Sequence, residues 1–487
     1  MSGAAFLAGA VSIPLFGAVL IPLARRWPNL REGISLGAAV ALFTAVCAVY
    51  TEVVEGLRPS VVLFEPIPGL TLGLAAEPLG VLFALVASFL WILTTVYSIG
   101  YMRAHGGEHQ TRFYTCFALA LGSAMGIAFS ANALSLFVFY EVLTLSTYPL
   151  VTHSGTDEAK RAGRLYLGLL LGTSIGLFLL ALVWTWSIAG TLAFEQGGVL
   201  RGKASPSVLA LLLGLYLFGI GKAALMPFHR WLPAAMVAPT PVSALLHAVA
   251  VVKAGVFAIL KISVYIFGLD LLAEIGATHF LAYLAAFTML SASLVAMRKD
   301  NLKARLAYST ISQQSYVVLG ALLANGKGAI GGAMHITMHA FGKITLFFCA
   351  GAILITTHKT LVSELGGIGR AMPVTMSAFL IGSLCVIGLP PAGGVWSKWF
   401  LALAALDAGQ QFLLLVLMLS SLLSMSYLLP IPAKAFFSKG WQNGATITEA
   451  PLPCLLAIVT SATGCIMLFV FPDPIYRLLG STWVAGR

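Results

Sequence analysis

The chain has 487 residues, of which 59% are hydrophobic and only 9% charged, and its formal net charge is +11. Soluble domains carry roughly 25% charged residues, so the composition excludes an ordinary cytosolic enzyme and indicates a polytopic membrane protein. The positive charge, which in a soluble chain would suggest nucleic acid, is spread over short loops between apolar runs, and no nucleic-acid partner is expected.

Runs of about 20 apolar residues, the length that crosses the hydrocarbon core, predict an all-α polytopic membrane protein of fourteen transmembrane helices. They fall at 5–24, 33–50, 78–101, 113–129, 131–151, 163–188, 206–228, 241–264, 272–297, 305–323, 328–357, 374–404, 410–437 and 451–472. The first run is long, lacks a basic start and is followed by Arg25-Arg26, so it reads as a span and not as a signal peptide. The longest connection is 51–77, which leaves no room for a soluble catalytic domain. With the N-terminus placed outside, seventeen Lys and Arg residues, Lys439 among them, fall in cytoplasmic connections. Six, namely Arg58, Arg201, Lys203, Lys327, Arg477 and Arg487, fall opposite. This positive-inside bias predicts a multi-pass protein of the cell (inner) membrane with both termini outside. Six cysteines are scattered singly, with no spacing suited to a metal or iron–sulfur site, and no cofactor is expected.

The fifth helix carries Glu141, the one carboxylate of seventeen near the middle of a span. Ten residues of helix at 1.5 Å each put it about 15 Å deep, near the bilayer midplane. A charge at that depth is costly and marks an ion or proton path more often than a structural site. Thr144, Ser146, Tyr148 and Thr152 follow on the same helix.

The seventh run contains Lys222 with Pro227 and Pro233 just behind it, so the helix is expected to break there and hold the ammonium near Glu141. In the eighth, Lys253 sits about twelve residues in, among apolar neighbours. His247, six residues earlier, reads equally as a hydrogen-bonded structural imidazole and as a relay member. The eleventh carries His335, His339 and Lys343, spaced four and four, which places all three on one helix face along roughly 12 Å of axis. Such a column suits stepwise proton transfer. The same spacing fits two metal ligands, but no third acidic or cysteine ligand is nearby, so no metal is expected. The tenth helix, with Ser309, Thr310, Ser312, Gln313, Gln314 and Ser315, is polar enough to wall a hydrated channel. In the twelfth, Pro390-Pro391 and two glycines precede Lys398, predicting a second helix broken beside a lysine. Two such breaks five spans apart suggest two related five-helix units of inverted topology.

The runs Lys222-Ala-Ala-Leu-Met-Pro-Phe-His-Arg-Trp-Leu-Pro, Pro239-Thr-Pro-Val-Ser-Ala-Leu-Leu-His-Ala, His339-Ala-Phe-Gly-Lys and Pro391-Ala-Gly-Gly-Val-Trp-Ser-Lys resemble the antiporter-like subunits shared by respiratory complex I, membrane-bound hydrogenases and Mrp-type cation/proton antiporters. The resemblance runs from about the third helix to the thirteenth. It implies N-terminal helices 1–3 in residues 1–112, repeats of helices 4–8 in 113–264 and 9–13 in 265–437, and helix 14 in 438–487. It also implies a proton path through Glu141, Lys222, Lys253, His339, Lys343 and Lys398, with His247 and His335 as candidate relays and with opening of a Glu141–Lys222 pair shifting the Lys253 pKa.

Lys398, where the M-type complex I subunit has glutamate, and a chain that stops soon after the fourteenth helix make the Mrp D-type subunit the most similar. Tyr140 departs from the tryptophan of many relatives, a change expected to matter little. The expected activity is translocation of H⁺ and a monovalent cation, Na⁺ foremost, by a subunit of a multisubunit antiporter working with other membrane subunits. Such a subunit is a secondary transporter and not an enzyme. The alternative is a proton-pumping subunit of a redox-driven complex, which alone would make it a translocase. A non-transporting scaffold or inorganic-carbon uptake partner would not need all the buried charges.

Overall fold

A computed structural model describes residues 3–438 and 447–483 of the chain. Lys439 and Arg487, both used in the charge count, lie outside the described residues, as does most of the connection before the last expected span.

The described chain is helical apart from one hairpin. Its first elements are α1 (Gly3–Leu23), α2 (Pro28–Val54), β1 (Ser60–Ile67), β2 (Leu70–Ala75), α3 (Pro78–Ala104), α4 (Gln110–Ala128) and α5 (Ala133–Val151). α6 (Asp157–Thr173) runs through the π turn Ser174–Phe178 into α7 (Leu179–Ala189), and α8 (Pro206–Gly219), α9 (Trp231–Ala234) and α10 (Thr240–Ala244) follow. A second π turn, Leu245–Val249, leads to α11 (Val251–Ile262), and a third, Ser263–Phe267, leads to α12 (Leu269–Glu274). The rest are α13 (Ala277–Arg298), α14 (Leu302–Leu322), α15 (Gly326–Thr357), α16 (Pro373–Ile387), α17 (Gly394–Asp407), α18 (Gln411–Leu428), α19 (Pro430–Phe437), α20 (Leu452–Val470) and α21 (Asp473–Trp483).

Proline at the first turn starts α2, α3, α8 and α16, where the missing N–H costs nothing. Asparagine caps three others: the side chains of Asn132, Asn301 and Asn325 accept the backbone N–H of Ser135, Ala304 and Gly328 at 2.8, 3.0 and 2.8 Å.

Among the described residues, ten helices are long and apolar enough to cross a membrane. The other four expected spans take different forms. Those at 113–129 and 305–323 become α4 and α14, helices of 19 and 21 residues that fall short in apolar content. Those at 206–228 and 374–404 are interrupted, leaving only the shorter apolar helices α8 and α16. The connection 51–77, read from sequence as a plain loop, forms the antiparallel β1–β2 hairpin, because Val61, Val62, Leu63 and Phe64 suit an extended strand and Gly69, at φ +82°, makes the turn.

Two segments occupy the interior. Thr240–Phe267 is buried throughout its most apolar stretch and Gly326–Thr357 over 89% of it, whereas α1 and α20 bury 39% and 33% and expose Phe16, Val19 and Leu456 outward. α15 packs on α3, α14, α16, α17 and α20. The interior helices therefore hold the polar groups away from lipid, and the peripheral ones present apolar surface to it.

Candidate functional site

Both broken segments are set by local chemistry. α8 ends at Gly219, one turn of 3₁₀ helix covers Gly221–Ala223, and Ala224 takes φ +56° before the chain reaches Pro227. Lys222 thus sits in the interruption itself. The segment packs on α11 at Gly255, where a Cβ would lie 2.4 Å from the backbone N of Ala223 and the C of Lys222, so only glycine permits the approach. In the second break Gly388 adopts φ +86°, the chain passes through Pro390-Pro391, and α17 restarts one turn before Lys398. A Cβ on Gly394 would meet the Cys385 carbonyl oxygen at 1.8 Å.

Lys222 is fully buried and its partners come from α5. Its Nζ donates to the Tyr140 carbonyl at 2.8 Å and to Thr144 Oγ1 at 2.5 Å, and lies 3.1 Å from the centre of the Tyr140 ring. Its backbone N–H donates to the Tyr140 hydroxyl at 3.0 Å. Glu141 is next in sequence, yet it makes no ion pair with Lys222: both carboxylate oxygens are buried without a hydrogen-bond partner. The Glu141–Lys222 pair is therefore open here, and Tyr140 holds the ammonium in its place. That residue was expected to matter little, but tryptophan offers no acceptor for the Lys222 N–H.

The centre of the bundle is a direct contact between α11 and α15. Lys253 Nζ lies 2.6 Å from His339 Nδ1, and Gln314 Nε2 lies 3.5 Å from the same nitrogen. The His339 ring stacks on His335 with centroids 5.7 Å apart, and His335 stacks on Tyr316 at 5.2 Å. His335 Nδ1 lies 2.9 Å from Ser397 Oγ, the neighbour of Lys398. Lys398 Nζ donates to the Ile387 carbonyl at 2.9 Å and to Ser421 Oγ at 3.0 Å, and sits 4.5 Å over the Tyr316 ring.

The observed line from α11 to α17 is thus Lys253, His339, His335, Ser397 or Tyr316, then Lys398. Lys343 shares the His339 face but turns away, its Nζ donating to the Leu306 carbonyl at 3.0 Å. His247, on the π turn before α11, packs its ring against Phe347 at 4.7 Å and leaves both nitrogens unpartnered.

α14 walls this line. Ser309, Thr310, Ser312, Gln313, Gln314 and Ser315 are all fully buried. They link to the neighbouring helices: Ser312 Oγ lies 2.9 Å from Ser293 and 3.3 Å from Ser420, and Tyr427 donates to Ser309 at 3.1 Å. Unpartnered buried polar atoms gather along the same line, including both Glu141 oxygens, His335 Nε2, His339 Nε2 and the side-chain oxygens of Gln313 and Gln314. Buried polar groups are normally paired, so this concentration sets the region apart from the apolar core around it. Among the described residues no cluster of three or more His, Cys, Asp or Glu side chains suits a metal ion.

Two contributors, Tyr316 and Lys261, escaped the sequence reading, and a third, Tyr140, was noted there only as a change expected to matter little. Lys261 lies in the same apolar run as Lys253, eight residues on, and pairs with Glu77, which borders α3 and was set aside as a helix-end carboxylate. The regular spacing of the two lysines was the available signal.

Residues 130–424 match the family described as NADH:quinone oxidoreductase/Mrp antiporter, TM. The chain is 33% identical over 453 residues to NADH-quinone oxidoreductase subunit N of Desulforudis audaxviator (strain MP104C), covering 91% of this chain and 88% of that protein. Several longer relatives that it matches are spanned only over about half to two thirds of their length. Among solved structures, a chain of the membrane-bound sulfane sulfur reductase, an archaeal respiratory membrane complex, superposes with TM-score 0.86 at 26% identity, covering 98% of this chain and 97% of that one. A chain of the Mrp complex from Dietzia sp. DQ12-45-1b superposes with TM-score 0.88 at 22% identity, covering 99% and 97%, a likeness of fold.

Proposed function

This chain belongs to the NADH:quinone oxidoreductase/Mrp antiporter family, and on that premise we propose that it moves protons along its buried polar line as one subunit of a multisubunit cation/proton antiporter. The observation that carries the reading is the 2.6 Å contact between Lys253 and His339 at the centre of the bundle, a position where an unpaired ammonium has no stabilising role to play.

In this reading the bundle spans the cell (inner) membrane fourteen times. Residues 113–264 and 265–437 are the two inverted repeats, and both termini face outward. Glu141 and Lys222 open and close as a pair. When Glu141 takes the ammonium from Tyr140, positive charge near α11 is neutralised and Lys253 keeps its proton; when the pair opens, Lys253 passes its proton to neutral His339. His335 and Ser397 carry it on to Lys398 at the second break, while Lys343 and His247 set the local potential. The exchanged ion is a monovalent cation, Na⁺ foremost, and other membrane subunits complete its path.

A second reading has its own support. The 33% identity to a quinone oxidoreductase subunit N favours a redox-driven complex in which the same residues pump protons. One experiment separates the two: proton movement in vesicles containing the whole complex, started by a Na⁺ gradient or by a reductant. Glu141→Ala, Lys222→Ala and Lys398→Ala serve as controls. Flux started by Na⁺ supports the antiporter, flux started only by reductant supports the pump, and full flux in all three variants refutes the path itself.

A further inference from the structure

Lys261 is fully buried, its Nζ 2.6 Å from Glu77 Oε1 and 2.8 Å from the Ser130 carbonyl oxygen. The rings of Phe194 and Phe257 flank it at 4.6 and 5.6 Å. Glu77 is the residue before Pro78 at the start of α3, where its side chain caps nothing. That side chain retains 16% exposure, against 1% for Lys261. The rim around Glu77 is built by the hairpin: Leu74 bridges Ser130, and Ala75 N–H donates to the Phe129 carbonyl at 2.6 Å.

A buried pair of this kind is weak evidence for a structural purpose, since apolar residues of the same volume generally hold helices together as well or better. Its position supplies another purpose. Lys253 and Lys261 lie eight residues apart on α11, which has regular α geometry between its two π turns, so they are ~12 Å apart along the axis at 1.5 Å per residue. The space between them is apolar: Phe257 sits midway and packs on Phe83 with centroids 4.8 Å apart. A buried ammonium, an aromatic constriction, a second buried ammonium and a carboxylate reaching the surface form a series from the bundle centre to the hairpin end. Constrictions of this kind gate by excluding and admitting water.

We propose that the Glu77–Lys261 pair is a proton-transfer station through which Lys253 exchanges protons with the membrane face at the hairpin end, independently of Lys398. The proposal rests on the proton path described under Proposed function. In the outward direction an N–H bond of the Lys261 ammonium breaks and an O–H bond forms on Glu77, leaving a neutral amine and a neutral acid. Glu77 releases that proton to water at its exposed edge. The Lys261 amine then takes a proton from the Lys253 ammonium through water admitted past Phe257 and Phe83, which restores the ion pair and leaves Lys253 to be refilled. One proton has crossed and no other species is consumed.

The test uses Lys261→Arg in the whole complex in vesicles, with proton flux normalised to assembled complex. Arginine keeps the cation and the ion pair, so a structural role survives, but it does not release its proton. The expected result is normal assembly with flux reduced at least about tenfold, the scale of one lost proton-transfer group. Glu77→Gln keeps the side-chain shape, removes the acceptor and serves if the arginine is not accommodated; the same loss is expected. Lys253→Arg is measured alongside. Wild-type flux per complex in Lys261→Arg or Glu77→Gln while Lys253→Arg is blocked overturns the station and spares the path. Wild-type flux in all of them overturns both.

Discussion

Tyr140 grips Lys222 from two directions: its hydroxyl accepts the lysine backbone N–H at 3.0 Å while its own carbonyl and ring hold the ammonium. The interrupted segment is thereby tied to α5 beside Glu141, with Thr144 Oγ1 on the same helix as a further acceptor of the ammonium at 2.5 Å.

Removing the hydroxyl alone tests that tie. Tyr140→Phe keeps the ring over the ammonium but leaves a buried N–H unpaired, a loss of about 1–3 kcal/mol. A lowered melting temperature of the purified complex is expected. An unchanged one would show that the segment is held by its packing on Gly255.

Lys253→Met separates stability from transport. No carboxylate among the described residues forms an ion pair with Lys253, so its ammonium is carried at a desolvation cost that methionine removes. The variant should melt no lower than the wild type while its proton flux falls at least about tenfold. Retained flux would remove Lys253 from the path.

The approach of the first break to α11 depends on a missing side chain. Gly255→Val places carbon where the Ala223 nitrogen would lie 2.4 Å away, so either helix or break must shift. Overpacking of this kind costs typically about 1–3 kcal/mol. Loss of both thermal stability and flux is expected, read by differential scanning fluorimetry and vesicle assay.

Outside the spans, burial and then the Arg112 guanidinium hold the His153 pKa below its ordinary value. The folded state thus disfavours the proton that the unfolded chain accepts near pH 6.5. Stability from this site is present above that pH and declines as pH falls through it toward the folded value. His153→Gln should flatten the decline, measured as melting temperature against pH between about 7 and 5.

What sequence made visible was what proline, glycine and charge dictate locally. Gly388 with Pro390-Pro391 announces an interruption because neither residue type continues a helix, and the spacing of His335, His339 and Lys343 fixes a shared face. What it left hidden depends on rotation and neighbours. His339 and not Lys343 meets Lys253, a choice set by how α11 and α15 are turned toward each other. Glu77 looked like an ordinary helix-end carboxylate because its partner is 184 positions away in the chain. The hairpin was missed because the connection was judged by its length, although Val61, Val62, Leu63 and Phe64 favour an extended strand.

α11 is bounded at both ends by a π turn and uninterrupted between them. Lys253 and Lys261 therefore ride on one short rod, like two teeth on a key. A rigid turn of that rod would move both ammonium groups together, away from His339 and across Glu77, and would press on the Lys222 segment seated on Gly255. Two lysine contacts and one backbone contact, drawn from four parts of the chain, thus share one helix.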